Sequence, residues 1–424
     1  MSCGPVHEGP SGPVPRTPLG WLGHEGFRLF FPLGAIHAAL WPLIWVLVQG
    51  LDLPMARMVP ASIWHGYELL VGAYGAALIG FLTTAAPEWT DTAPLRGRPL
   101  WWLAALWGIA RLVGFLGWDG IGMLGGAADL LWMGALILYL LQLSWRRKTD
   151  ILLAFVFWLM LLFGAMATSR LAFALGDIDL AQQSTYMFGF GFLGVLGLAL
   201  ARIAVPVTNL VLDPTERSSP FRPHPGRLNL APGLILLAMA GTLAGLNETV
   251  TGFLWIAAGA GFMDRVAEGF VGRQSFRAEI LLLTGSSALA GSGLMMIGTA
   301  ALGAGWSLYD GLHVALMGGL GLGVLAVYSV AGLLHANHSL PVPWQTRLAG
   351  VLLLASLVFR IGIDGVTGLA WLERSLPLAS VLWAGAFLTW LAAYLPVFLR
   401  PPLGDPAPLP GDAGFATADI AVGE

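Results

Sequence analysis

The sequence predicts an all-α polytopic membrane protein of about twelve transmembrane helices, with N- and C-termini in the cytoplasm. Composition is the first reason. Of 424 residues, 57% are hydrophobic and only 11% are charged, where a soluble domain carries about 25% charged residues. The second reason is the recurrence of apolar stretches close to the ~20 residues that cross a bilayer as a helix. The third is the uneven distribution of Lys and Arg between successive stretches, which sets orientation.

In chain order, the first stretch, 28–49, opens FRLFFPLGAIHAALWPLIWVL and carries a lone His37, read as a hydrogen-bonded core residue. The second, 61–86, and the tenth, 306–334, are long enough to tilt or protrude. Between them lie 99–118, 121–143, 150–170, 182–204, 229–246, 250–268 and 279–301, and 344–365 and 378–399 complete the set. Asp264 and Arg265 interrupt 250–268, the least regular of the twelve. With the N-terminus inside, all but five of the 21 Lys and Arg residues are cytoplasmic, including Arg146, Arg147 and Lys148 after the fourth span. Arg57, Arg170 and Arg374 fall on the opposite side, and Arg111 and Arg360 lie within spans. Residues 26–400 are expected to form one membrane domain, its halves 26–204 and 229–400 joined by a cytoplasmic loop, 205–228. The Pro/Gly-rich tails 1–25 and 401–424 are expected to be disordered.

Several classes are excluded. A net charge of −3 without a basic stripe argues against a nucleic-acid partner. The single cysteine, Cys3, rules out a disulfide framework, an iron–sulfur site or a covalent c-type haem. No cleaved signal is expected, because the first 20 residues lack a cationic segment followed by an apolar one. There is no Walker lysine loop, dinucleotide fingerprint or HExxH. The His-Pro-Glu segment of haem–copper oxidases is also missing.

The chemistry-bearing residues cluster by depth. His65 and Glu68 share a helical face three residues apart, followed by a small-residue stripe at Gly72, Ala76 and Gly80 that admits a helix or a flat macrocycle. Asp310, His313, Asp129, Arg111, Arg360 and Asp364 fall at similar depth near the outer face. Two imidazoles from different helices are the usual axial ligands of a b-type haem, or half of a copper site. Arg111 and Arg360 would pair with propionates, and Glu68 or Asp310 would orient an imidazole or exchange protons. The competing reading is a set of buried ion pairs, such as Arg111 with Asp129, that hold helices in register. Met317, one turn after His313, offers a thioether but is more simply packing. At the cytoplasmic end, His335 and His338 have i, i+3 spacing that could chelate a metal.

The run WHGYELLVGAYGAALIGFLTTAAPEWT, residues 64–90, resembles the hallmark of the NnrS family. The match falls on Trp64, His65, Glu68, Gly80, Phe81, Leu82, Thr84, Ala85, Pro87, Trp89 and Thr90, with Gly66–Tyr67 standing where a second histidine is commoner. The first span, IARL around Arg111, FRIG around Arg360 and the span bearing His313 are also similar to the family. The resemblance implies a bacterial inner-membrane protein holding haem b, with copper as a further candidate, that handles nitric oxide in denitrifying or nitrosatively stressed cells. Turnover by a membrane oxidoreductase, sensing and scavenging are all open to such a protein, with Glu68 as the catalytic candidate, His65, His313, Arg111 and Arg360 as the cofactor-binding candidates and, from their spacing, His335 and His338 as further candidate metal ligands beside His65 and His313. A homo-oligomer or a respiratory-chain partner is compatible with it. The alternatives are a secondary transporter using the buried Arg/Asp/His layer and an assembly factor for denitrification enzymes.

Overall fold

The computed structural model describes residues 15–49, 60–361 except 118, 216, 219 and 223, and 375–403. Cys3, His7, Arg57, Asp364, Arg374 and most of both expected tails lie outside the described residues. Every described regular element is helical. The twelve long helices are α1 Gly26–Gln49, α2 Ala61–Trp89, α3 Arg98–Leu116, α4 Gly122–Arg147, α5 Leu153–Leu175 and α6 Ile178–Leu212, then α7 Leu230–Leu243, α8 Glu248–Met263, α9 Ala278–Ala301, α10 Leu308–His335, α11 Trp344–Ile361 and α12 Ser375–Phe398.

Eleven of these helices belong to spans long and apolar enough to cross a membrane, α7 by virtue of the turn Pro225–Arg227 before it, which extends its span to Pro225–Leu243. The exception is α8, whose 16 residues rise only about 24 Å. It stops at Met263 because the next residues leave the helix to form ion pairs. Arg227 grips Asp264 with two hydrogen bonds of 2.6 and 3.1 Å, and Arg265 donates to Glu268 at 2.9 Å. Elsewhere the ends carry local stop signals. Gly117 and Gly176 take left-handed backbone after α3 and α5. Asp177, Asn247 and Ser307 cap the starts of α6, α8 and α10. The α6 helix continues to Leu212, eight residues past the expected boundary. Part of the N-terminal tail is ordered: Pro18–Leu22 is a short helix begun by Thr17, and it buries Trp21.

Burial ranks the helices. In α2, α6 and α10, 94%, 83% and 72% of the most apolar stretch is buried, against 33–56% in the other spans. These three therefore form the centre of the bundle. Three peripheral helices follow α2, three follow α6 and two follow α10, and α12 packs back on α1 to close the ring. Arg28, fully buried at the start of α1, fastens the closure by donating to the carbonyls of Phe398 and Arg400 at 3.1 and 2.8 Å. Both ends of the described chain thus lie on one face of the bundle, called here the terminal face.

Glycines allow the closest crossings. In α8 and α9, Gly252 and Gly259 meet Gly298 and Gly291 so closely that a Cβ on Gly259 would stand 2.5 Å from the Gly291 carbonyl oxygen. The stripe of α2 is used the same way. Gly72 receives the His37 ring, Ala76 lies beside Gly34 and Gly80 receives Phe30 and Phe31, so this face is filled by α1 and takes no macrocycle. Gly259→Val is expected to cost on the order of 1–3 kcal/mol, seen as a lower melting temperature of the detergent-purified protein. An unchanged temperature would show that α8 and α9 can separate freely.

Candidate functional site

At the face opposite the termini, the ionisable residues form two groups. The first is a closed ion-pair network. Glu68 Oε2 accepts from Arg111 Nη1 at 2.9 Å, and Arg111 Nη2 donates to both oxygens of Asp129 at 2.6 and 2.9 Å. Asp129 also accepts from the Tyr67 hydroxyl at 3.0 Å, the Trp132 indole at 3.1 Å and Arg170 Nε at 3.1 Å, with Arg170 Nη2 closer still. The Arg170 guanidinium lies 4.7 Å over the Tyr67 ring. Glu68 and Asp129 are fully buried, and Arg111 and Arg170 are 6% and 8% exposed. Two carboxylates and two guanidiniums cancel, as burial requires, since an isolated charge in a medium of low dielectric is expensive.

His37 belongs to this group. Its Nε2 is 3.1 Å from the Glu68 carbonyl and 3.8 Å from the Glu68 carboxylate, and its ring stacks on Trp41. It is the hydrogen-bonded core histidine expected from the sequence, and it also adjoins the carboxylate of interest. A Cβ at position 72 would overlap its ring, so Gly72 is what lets His37 reach Glu68.

The second group is a pair of half-buried imidazoles, His65 on α2 and His313 on α10, within electrostatic reach of each other and of Arg360 on α11. His313 Nδ1 is 2.7 Å from the Tyr309 carbonyl. A carbonyl can only accept, so Nδ1 carries the proton and Nε2 keeps its lone pair. The His65 ring stacks on Trp45, centroids 4.8 Å apart, and its buried Nδ1 has no hydrogen-bond partner among the described residues.

Both histidine-bearing helices widen at this level. Residues Leu69–Tyr74 in α2 and His313–Leu320 in α10 are π-helical, a geometry that often marks functional sites. Nearby carbonyls accept side-chain donors: Gly72 from Trp107 at 3.0 Å, and Leu316 from the Tyr74 hydroxyl at 2.8 Å.

Some expectations are corrected. Both terminal nitrogens of Arg111 are taken by carboxylates, so it stands in the ion-pair network and not beside a propionate. Asp310 completes a capping box with Ser307 and does not orient His313. Arg170, expected on the outer surface, is buried. His335 ends α10, and the chain turns away through left-handed Asn337, so His335 and His338 do not share a helical face. His335 instead lies beside Phe27 and 3.8 Å from Glu88. Met317 packs against the apolar core. Among the described residues, no three His, Cys, Asp or Glu side chains gather as metal ligands.

A family model described as NnrS protein matches residues 22–401. The chain belongs to the NnrS family. No curated protein matches it. In this NnrS chain the family hallmark therefore feeds both groups, with His65 in one and Glu68 in the other. The residues missed from sequence are Arg170, Tyr67 and the second role of His37. A fifth span drawn to Leu175, where the helix ends, would have found Arg170, because it then lies inside the span at about the level of Asp129 near the start of α4.

Removing one member of a buried pair leaves the other uncompensated, at about 3–5 kcal/mol. Asp129→Ala, which strands the Arg170 guanidinium and leaves Arg111 only Glu68, is expected to abolish the folded protein in detergent. Arg170→Gln, which leaves Arg111 on Asp129, should lower the melting temperature yet remain monodisperse. Equal behaviour of the two variants would show that Asp129 is not the hub.

Proposed function

We propose that this protein holds a b-type haem between His65 and His313 in the bacterial inner membrane and handles nitric oxide there. The observation that carries the reading is the pair of imidazoles on adjoining central helices, one with a lone pair on Nε2 and the other with an unpartnered buried Nδ1. These residues fit the group: two nitrogen donors, an aromatic shelf in Trp45 and a cation, Arg360, for a propionate. Bound there, haem would supply a metal centre able to bind nitric oxide. Copper is assigned no ligands, since no three-donor set gathers among the described residues. The orientation that fits is termini inside. With Arg170 buried against Asp129, it no longer counts as an outer-loop charge, which sharpens the positive-inside asymmetry.

Membrane burial suits the substrate. Nitric oxide is small and apolar and partitions into lipid. Glu68 lies one helical turn from His65, and its carboxylate is 3.8 Å from His37. Its proposed role is to exchange protons with the site, while Arg111 holds it in place.

The optical spectrum of the purified protein is the first test. A Soret band with near-stoichiometric extractable haem b is expected, and it should be lost or shifted in His65→Ala and in His313→Ala while both variants remain inserted. An unchanged spectrum in both would remove the pair as ligands, and a colourless folded protein would favour a transporter. Glu68→Gln keeps the shape, and Arg111 retains Asp129, so the variant should fold and keep its haem. It should lose protection of cells against nitric oxide, and full protection would falsify the proton role.

A further inference from the structure

Just inward of the histidine pair, the three central helices do not quite meet. A cavity of about 50 Å³, measured by where the centre of a water-sized molecule can go, lies between α2, α6 and α10. That is several times the ~10–15 Å³ needed for one water. Small side chains open it: Ala77 from α2 and Ala199 from α6, with Val195 and Val324 completing the walls and Tyr74 and Leu320 at the rim nearest the site. Tyr74 and Leu320 are the last residues of the two π-helical segments. The Tyr74 hydroxyl that borders the space is already committed to the Leu316 carbonyl, one turn after His313. His65 is nine residues before Tyr74, so the cavity begins within about 13 Å of helical rise from it.

We infer that this cavity is a binding site for a small uncharged apolar gas. The lining decides the chemical class. A buried water needs two to four polar partners. Here Tyr74 is engaged, and the one further hydroxyl, that of Tyr328, points toward Gly34. Apolar cavities of this kind stay dry and take up xenon or other apolar guests. An ion would lose its hydration without replacement, and a haem or a quinone ring far exceeds the volume. The position suits a diatomic gas that dissolves in the membrane and waits beside the centre where it reacts. In that respect the inference rests on the proposed function, but gas binding itself does not.

The test is xenon, which needs no cofactor. Crystals of the full-length protein pressurised with xenon should show an anomalous peak between Ala77 and Ala199. Ala199→Leu, which projects a side chain into the space, should reduce its occupancy at least tenfold. Should that variant fail to fold, Ala77→Val is the smaller filling and should reduce it several-fold. Absence of the peak in the wild-type protein, ordered water in the cavity, or an undiminished peak in the filled variant would each overturn the inference. A xenon peak in a protein found free of haem would uphold the cavity and sink only the haem reading.

Discussion

Asp129 is the residue on which one side of the bundle depends. It receives two guanidiniums, a phenol and an indole from α3, α5, α2 and its own helix α4, so four spans are tied at one fully buried carboxylate. Lipid offers no hydrophobic force to press helices together. Here the register of α2 against α3, α4 and α5 is set by a charge that has nowhere else to go. The same arrangement holds Glu68 still through Arg111. Positioning of the family hallmark and stability of the fold are therefore one problem, and that is why a carboxylate can sit beside an imidazole in a dry layer.

The architecture was legible because its signal is composition. Runs such as 182–204 and 279–301 can do little except span a membrane, and the interruption at Asp264 and Arg265 marked the one helix that falls short. Boundaries were less legible. The α6 helix runs through Pro206, a residue that would ordinarily end it, and on to Leu212, and Pro18 with Thr17 starts a helical turn in what reads as a tail. Within the site, the sequence gives depth but not azimuth. His65, Glu68, Arg111 and Asp129 do share a layer, but whether Arg111 turns toward Asp129 or toward His313 depends on how α3 is rotated. Rotation is set by packing contacts such as Trp107 on the Gly72 carbonyl. The π-helical widening was invisible for a similar reason, since no residue pattern in LLVGAY or HVALMGGL announces an extra residue in the turn.

That widening links site and centre. A π-helical turn re-aims carbonyls that an α-helix would keep to itself, and two of them are answered across helices by Trp107 and Tyr74. The Tyr74 bond joins one widened segment to the other, fixing α2 against α10 between the histidines above and the open space below. The imidazoles, the carboxylate and the cavity thus share a frame made of backbone, which small side-chain changes elsewhere in the bundle would disturb little.

The ring closure at Arg28 has a consequence for how the protein is made. Its partners, the carbonyls at the end of α12, are some 370 residues away in sequence. At about 5–20 residues per second, α1 must wait tens of seconds for the helix that completes its surroundings. Until then a guanidinium destined for full burial stays at the membrane edge, where water and headgroups can serve it. The first helix inserted is thus among the last to reach its final packing, and a nascent chain halted before α12 would leave the bundle an open arc with the inner face of α1 turned to lipid.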